Sequence, residues 1–323
     1  VLISTYIFCL ANPNLPSSYL PPGSLPPNYL LKRVVAGIKD YGNRMGIPTN
    51  NGSFHFHDDF RAKPTVLVGA YGILPKKSAQ IGKPKSGDII ISIGGRIGRD
   101  GIHGATFSSG EMTDQTIATN AQSVQIGNAI EEKRTFDAII EARDKNLIRA
   151  IQDCGGGGLS SAIGEMGQYL GVSVQLKNAG LKYQGLSPWE IWLSESQERM
   201  IVAIPKAKIP LFKKTCRKYN VESSVLGKFD NHKKLKVFFG KEIVCNLDME
   251  FLHHGLPQRK MTAKKPIEKE TPSRRSLLGK KETLIPSTEL GWIRILKKIL
   301  SHGNVCSKEP IVRLYDHTVQ GTN

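Results

Sequence analysis

Four consecutive glycines, Gly155–Gly158, constrain the fold of this chain more than any other feature. They follow a carboxylate, Asp153, and precede Ser160 and Ser161, which we expect to cap a helix running to Leu170. Glycines before a helix let backbone N–H groups approach an anion, which the helix dipole also attracts. A carboxylate beside such a loop suits a hard cation that bridges phosphates. The pattern predicts a strand, a phosphate-binding loop and a helix, with a ligand-free turn as the alternative.

Composition places the chain among globular proteins with about two domains, since 39% of its 323 residues are hydrophobic and 23% are charged. The apolar run 1–10 has no basic residues before it and is too short to span a bilayer, so we predict neither a signal peptide nor a membrane span. The five cysteines form no CxxC or Cys/His cluster. We therefore expect no disulfide framework or zinc site, and a cytoplasmic location.

The formal charge of +17 is concentrated in two stretches, 206–241 and 257–284. Aromatic residues are not interleaved with these basic residues, as base-stacking surfaces require. We therefore predict solvated basic faces that attract an anionic, phosphorylated metabolite, and neither a nucleic acid nor a membrane as partner. A non-catalytic basic scaffold that binds nucleic acid stays as the alternative.

Apolar periodicity and turn residues predict a mixed chain of helices and strands. The expected helices lie at 30–40, 131–145, 210–219 and 290–300, besides the one capped by Ser160 or Ser161, with Phe136, Ile139 and Ile140 of the second facing inward. The expected strands lie at 54–57, 66–73, 88–93, 123–128, 200–204 and 221–228, followed by a hairpin of 234–239 and 242–247. This order describes an α/β or α+β sandwich, and 257–284 is expected to be a linker.

A second glycine-containing loop follows the predicted strand 88–93 and contains Gly95, Arg96, Arg99 and His103. It matches neither a Walker A loop nor a GxGxxG fingerprint. The arginines could clamp a phosphate, which arginine binds through two parallel hydrogen bonds. The alternative is that Arg99 pairs with Asp100 and braces the loop.

Polar side chains that could contact a ligand occur in two further places. Gln125 lies in the short predicted strand, and its amide could read a substrate. Glu195, Ser196 and Gln197 belong to a polar run that enters the buried strand 200–204. Polar groups entering a core need partners, so these three could read a polyhydroxylated ligand, although a capped helix end explains part of the run.

Four stretches, 87–105, 124–128, 153–162 and 193–200, together resemble phosphoribosylformylglycinamidine synthase in their order and spacing. The resemblance runs from Val34 to His317. It implies an ATP-dependent ligase of purine biosynthesis that uses ATP and Mg²⁺ to activate the amide oxygen of formylglycinamide ribonucleotide. Ammonia from a glutaminase domain or subunit then displaces the phosphate. It also implies sandwich domains of the aminoimidazole ribonucleotide synthetase-like type, an N-terminal-type α/β domain followed by a C-terminal-type α/β domain.

The resemblance also assigns residues. Asp153 matches a magnesium ligand, Gln125 matches a substrate-binding glutamine, and Glu195, Ser196 and Gln197 match a substrate-binding triplet. The candidate phosphate or nucleotide loops comprise Gly95, Arg96, Arg99, His103, Gly155 and Gly157. The family's catalytic histidine lies upstream of the sequence, so no catalytic residue is expected in it. We expect a fragment that is inactive alone.

The resemblance divides the chain into four parts. Residues 1–85 correspond to the end of the first N-terminal-type domain and 86–250 to a C-terminal-type domain. Residues 251–289 form a basic linker, and 290–323 begin a second, truncated N-terminal-type domain. The sequence departs from the family at Gly156, where alanine is common. Other ATP-using enzymes of the superfamily, of the selenophosphate or thiamine-phosphate kinase type, are alternatives, against which the run 194–199 argues. A poorly folding fragment is another.

Overall fold

The computed structural model describes residues 2–79, 82–102, 104, 124–264, 286 and 288–319. The strands in these ranges are β1 (Ile3–Leu10), β2 (Thr49–Phe56), β3 (Thr65–Tyr71), β4 (Ile89–Gly94), β5 (Ala150–Asp153), β6 (Gly171–Gln175), β7 (Arg199–Ile204), β8 (Ser223–Asp230), β9 (Lys234–Phe239) and β10 (Glu242–Asp248). The α-helices are α1 (Pro27–Met45), α2 (Ala129–Asp144), α3 (Leu159–Met166), α4 (Pro188–Leu193), α5 (Ile209–Lys218), α6 (Met249–His254), α7 (Glu289–Leu300) and α8 (Glu309–Val312). Short 3₁₀ turns occur at Ser17–Tyr19, Asp58–Phe60, Lys76–Ser78, Leu176–Asn178 and Lys206–Lys208.

A three-stranded sheet has β1 at its centre, parallel to β2 and antiparallel to β3. Side chains alternate along β1, so that Phe8 and Leu10 are buried on one face while Ile7 is exposed. Phe8 stacks on Phe54 of β2 with ring centroids 4.5 Å apart. The α1 residue Val35 belongs to the same core cluster, so α1 covers this face of the sheet.

A seven-stranded sheet has the order β10-β9-β6-β8-β4-β7-β5. Its neighbouring strands are antiparallel, except for the parallel pair β6 and β9. Strand β7 lies between β4 and β5, and its residues Arg199 and Met200 pair with Gly94 and Asp153, respectively. This register brings the end of β4 and the end of β5 to the start of β7.

Helices cover both faces of the large sheet. Ile90 of β4 faces one core, which includes Leu159 and Ile163 of α3. Ile91 of the same strand faces the other core, which includes Phe212 of α5. A buried central strand with apolar side chains on both faces produces the nearly continuous apolar run of 89–93, in which Ser92 is polar. The predicted sandwich of helices and sheet is therefore present.

Several predicted elements are confirmed, and others are corrected. The hairpin of β9 and β10 and the helix now called α5 lie where they were expected. Residues 124–128 are not a strand, since Val124 and Ile126 are 60% and 69% exposed and pair with no described strand. Helix α3 ends at Met166, because a turn at Gly167 precedes β6. In α2 the deeply buried positions are small side chains, and the predicted inward residues Phe136, Ile139 and Ile140 are only partly buried.

Two observations concern predictions from composition. All five cysteines are free thiols in the structure. None of the helices in the described ranges is long and apolar enough to cross a membrane.

Candidate functional site

Three of the predicted ligand-contacting residues meet at one point of the large sheet. The Gln125 amide donates from Nε2 to Glu195 Oε2 at 2.8 Å and accepts at Oε1 from Gln197 Nε2 at 2.7 Å. Glu195 is 6% exposed, whereas Gln125 is exposed. The three side chains therefore form a chain of hydrogen bonds that runs from the protein interior to the surface, and we call it the amide cluster.

The glycine loop after β5 contacts the amide cluster. The Gly157 N–H donates to Glu195 Oε1 at 3.1 Å, which gives this buried carboxylate a second hydrogen-bond donor. Gly157 has φ +82° and Gly158 has φ +58°. A Cβ on Gly158 would lie 2.0 Å from the Ser194 carbonyl oxygen, so only glycine fits beside the polar segment.

The predicted capping serines have a different role. The residue that caps α3 is Gly158, and Ser160 and Ser161 lie inside the first turn of the helix. Their hydroxyls donate to the carbonyls of Gly157 and Gly156 at 2.6 and 2.7 Å. The prediction that they cap the helix is wrong, because the four-glycine loop turns sharply enough to begin the helix two residues earlier. Their hydroxyls instead hold the loop in shape.

Asp153 ends β5 at the start of the glycine loop, where its side chain is exposed. Among the described residues, its carboxylate has no hydrogen bond or ion pair, and no group of three or more His, Cys, Asp or Glu side chains could hold a metal ion. Magnesium is commonly bound by one or two carboxylates together with phosphate oxygens and water. A single free carboxylate beside a glycine loop fits that mode of binding.

Ser196, which the resemblance placed in the substrate-binding triplet, is fully buried and points away from the amide cluster. Its Oγ accepts from the Gly98 N–H at 2.9 Å and donates to Asp100 Oδ2 at 2.6 Å. Lys182 also pairs with Asp100. Burial raises the pKa of Asp100, but the hydrogen bonds from Lys182 and Ser196 outweigh it, so the pKa lies below its usual value. This side-chain network is complete without a ligand.

The buried Arg199 holds the polar segment from its other side. Its Nε donates to the Ser196 carbonyl at 2.7 Å, and its Nη2 donates to the Ser194 carbonyl at 2.5 Å. Its own carbonyl accepts from the Cys154 N–H at 3.1 Å. Arg199 thus connects the segment 194–196 to the end of β5, where Asp153 lies.

The predicted arginine clamp is not assembled in the structure. Arg99 binds Glu190 through Nε at 2.6 Å, and Arg96 binds Glu222 at 2.7 Å. The alternative pairing of Arg99 with Asp100 is wrong, because Glu190 accepts from Arg99 and caps α4 at the same time. Gly95 donates its N–H to the Glu198 carbonyl, beside the polar segment. His103 lies outside the described residues.

An open cleft of about 1050 Å³ adjoins the amide cluster between α1 and the large sheet. Gln197 and Glu198 line it, and Glu198 Oε1 accepts from Tyr41 Oη at 2.9 Å and from the Asn128 N–H at 2.7 Å. Burial, together with the charges of Glu132 and Glu198, raises the pKa of the Tyr41 phenol. Tyr41 is therefore a neutral donor that joins α1 to the polar segment.

Sequence reasoning missed Asp100, Lys182, Tyr41 and Arg199 as parts of the site. The partners of these residues lie far away in the sequence, as with Tyr41 and Glu198, which are 157 residues apart. For Arg199 a signal existed, since an arginine at the start of a buried strand needs buried acceptors.

Cys154 lies between Asp153 and the glycine loop, but it is not an activated nucleophile. Burial raises the pKa of its thiol to about 11, so it is protonated at neutral pH.

Comparison with known proteins finds similar sequences and structures. Residues 85–240 match the family model described as "AIR synthase related protein, C-terminal domain". The phosphoribosylformylglycinamidine synthase subunit PurL of Picrophilus torridus is 39% identical over 304 residues, which make up 93% of this chain and 39% of that protein. The chain therefore spans about two fifths of the length of this curated relative.

Solved structures give the same fold. T. maritima PurL complexed with FGAR superimposes with a TM-score of 0.71 at 27% identity, over 83% of this chain and 42% of that one. T. maritima PurL complexed with ATP gives a TM-score of 0.66 at 24% identity, over 83% of this chain and 40% of that one. PurLQS from T. maritima gives a TM-score of 0.70 at 22% identity, over 99% of this chain and 45% of that one. The predicted fold class, sandwich domains of the aminoimidazole ribonucleotide synthetase-like type, is confirmed.

Proposed function

We propose that this chain, a homologue of part of the phosphoribosylformylglycinamidine synthase subunit PurL, supplies part of the site for ATP-dependent amidation of formylglycinamide ribonucleotide. The observation that carries the proposal is the amide cluster, in which Gln125, Glu195 and Gln197 meet beside the glycine loop and Asp153. The T. maritima relative complexed with FGAR supports this substrate. We also propose that the four-part division of the chain at 85, 250 and 289 reflects its domains.

The side chains of the cluster have complementary roles toward a ribonucleotide. Gln125 and Gln197 each carry amide donors and an acceptor, so they can exchange their mutual hydrogen bonds for bonds to ligand hydroxyl or amide groups. The Glu195 carboxylate is held by Gln125 and the Gly157 N–H, so it stays oriented when a ligand replaces one partner. Ser196 is assigned a positioning role in this proposal, because its hydroxyl is buried and already bonded.

ATP and magnesium are the proposed cofactors, and Asp153 would hold the metal. When bound, magnesium would neutralise charge on the phosphates during phosphoryl transfer. Asp153 is suited to this because its carboxylate is exposed at the mouth of the glycine loop. The ammonia would come from glutamine through a separate glutaminase domain or subunit, since Cys154 is buried and protonated. A reducing cytoplasm suits the five free cysteines.

The proposal is tested by titrating formylglycinamide ribonucleotide into the chain by calorimetry, with and without Mg²⁺ and ATP. Gln125→Ala is expected to weaken ribonucleotide binding about tenfold, because hydrogen bonds to a substrate are lost and Glu195 loses a donor. Gln168→Ala, a glutamine in the turn beyond α3, is the matched control and should bind as the parent chain does.

A second measurement concerns the metal. Asp153→Asn is expected to abolish the dependence of ATP binding on Mg²⁺, whereas Asp58→Asn, in an exposed turn, should leave it unchanged. Unchanged binding in both Gln125→Ala and Asp153→Asn would overturn the proposal. Binding of RNA with a steep salt dependence, without ribonucleotide binding, would favour the basic scaffold instead.

A further inference from the structure

Arg199 is a buried cation whose hydrogen bonds, within the described part of the chain, go to carbonyl oxygens, while the charge of Asp100 also acts on it. Arg199 is only 4% exposed, and within the described part of the chain its guanidinium forms no ion pair with a carboxylate. Its hydrogen-bond partners are the carbonyls of Ser194 and Ser196. Nη1 is buried and has no partner among the described residues. Taking a guanidinium out of water costs free energy that two carbonyl bonds recover only in part.

A side chain selected only for stability would differ at this position. Buried charged groups can often be replaced by apolar side chains of similar volume with no loss of stability. Methionine would fill this place without an unpaired donor. The neighbouring residues of β7, Ile201 and Val202, are apolar and fully buried, so the strand itself accepts such side chains. The guanidinium therefore indicates a requirement other than filling the core.

The geometry shows what the guanidinium does. Its fork spans two carbonyls that flank Glu195 in the sequence, and so fixes the turn from which the Glu195 side chain projects. The Glu195 N–H is bound on the other side by the Asp100 carbonyl at 3.0 Å. The Arg199 carbonyl also accepts from Cys154, next to Asp153. One residue thus sets the position of Glu195 relative to the end of β5.

We propose that Arg199 is a positioning residue for the ribonucleotide site, because its guanidinium holds the turn that aims Glu195 at Gln125 and Gly157. This inference rests on the proposed function for the identity of the ligand. Arg199 touches no ligand and acts through Glu195. Arg199 therefore affects both how well the backbone of 194–198 is ordered and how tightly the ribonucleotide binds.

The test compares Arg199→Met, Arg199→Lys and the parent chain in two measurements. Hydrogen–deuterium exchange of the ligand-free chain should show faster exchange at the Glu195 and Ser196 amides in Arg199→Met. Calorimetry should show about tenfold weaker binding of formylglycinamide ribonucleotide, because bonds from a charged donor are lost. Arg199→Lys keeps the charge but lacks the planar fork, so it should fall between the two. If Arg199→Met does not fold, the same two measurements are made on Arg199→Lys.

Val202→Ala and Arg33→Met are the controls. Val202→Ala lowers stability from the same strand without touching the turn, and Arg33→Met removes an exposed arginine of α1 that belongs to no proposed site. Both should keep the parental exchange at the Glu195 and Ser196 amides and the parental affinity.

Two outcomes would overturn the inference. One is parental exchange and affinity in Arg199→Met. The other is that Val202→Ala, at equal loss of stability, shows the same faster exchange and weaker binding, which would assign Arg199 a role in stability alone. If the parent chain binds no ribonucleotide, the proposed function fails, while the exchange of the ligand-free chains still decides whether Arg199 orders the turn.

Discussion

Successive residues of the polar segment point to opposite sides, and this alternation determines what each can do. Glu195 and Gln197 face Gln125, while Ser196 lies in the network with Asp100. Sequence reasoning identified all three as ligand contacts because it counted polar side chains without knowing their partners. The burial of Ser196 could not be predicted, since Asp100 lies 96 residues away. Gln125 and Glu195 stay predicted ligand contacts, and the structure shows that their side chains are hydrogen-bonded to each other.

The glycine loop allows a matched pair of substitutions. Gly158→Ala should lower the free energy of unfolding by at least about 2 kcal/mol, because its backbone conformation is one that other residues avoid and a Cβ would meet the Ser194 carbonyl. Gly156→Ala should be neutral within about 0.5 kcal/mol, since no atom lies within 4 Å of its Cβ position.

Urea unfolding of the two variants measures both effects. Equal stability of Gly158→Ala and Gly156→Ala would contradict the close approach of the loop to Ser194.

The Arg99–Glu190 pair predicts a dependence of stability on pH. The hydrogen bond from Arg99, followed by the backbone hydrogen bond from Ser187, lowers the pKa of Glu190 to about 2. A carboxyl whose pKa is lower in the folded state stabilises the protein above its unfolded pKa, near 4.3. That contribution is lost as the pH falls from about 4 towards 2.

The measurement is the midpoint of thermal unfolding between pH 7 and pH 3. Glu190→Gln should lower the midpoint at pH 7, and its difference from the parent chain should shrink at pH 3. A constant difference across this range would show that ionised Glu190 is not the stabilising group.

At the scale of elements, the best predicted parts are those whose pattern does not depend on distant partners. Strand β4 is visible in the sequence as an apolar run interrupted only by Ser92, and α5 as a helical spacing of Phe212 and Cys216. Residues 123–128 were predicted to be a short strand that ends in a polar turn. In the structure β4 pairs instead with β7 and β8. Strand pairing of this kind is decided by segments more than 70 residues further along the chain.

Helix α5 provides a test of the core on one face of the large sheet. Phe212 is fully buried there, so Phe212→Ala should lower the free energy of unfolding by about 3–5 kcal/mol through lost burial and a cavity. The adjacent Leu211 is 45% exposed, and Leu211→Ala should change the free energy of unfolding by less than about 1 kcal/mol. Denaturant titration of both variants measures the difference. Similar losses would mean that α5 packs by a different face.

At the scale of the whole molecule, a hydrogen bond between Tyr41 and Glu198 connects the two sheets at the cleft. Tyr41 belongs to α1 on the small sheet, and Glu198 precedes β7 of the large one. Tyr41→Phe should lower the free energy of unfolding by about 1–2 kcal/mol, because a bond to a charged acceptor is lost. The control, Tyr29→Phe, changes an exposed tyrosine of the same helix and should be neutral.

Urea unfolding of Tyr41→Phe with and without Glu198→Gln checks that the loss comes from this pair. Additive effects of the two substitutions would mean that Tyr41 and Glu198 do not interact in solution.

The position of β7 between β4 and β5 also sets an order of assembly during synthesis on the ribosome. Strand β5, which ends in Asp153, hydrogen-bonds only to β7 among the described strands, and β7 is made about 50 residues later. Until Arg199–Ile204 has left the ribosome, the nascent chain has neither the partner of β5 nor the turn that orients Glu195. A translational pause before residue 199 would therefore leave β5 unpaired and open to association with other chains. We therefore expect synonymous codons upstream of this point to change the yield of folded protein.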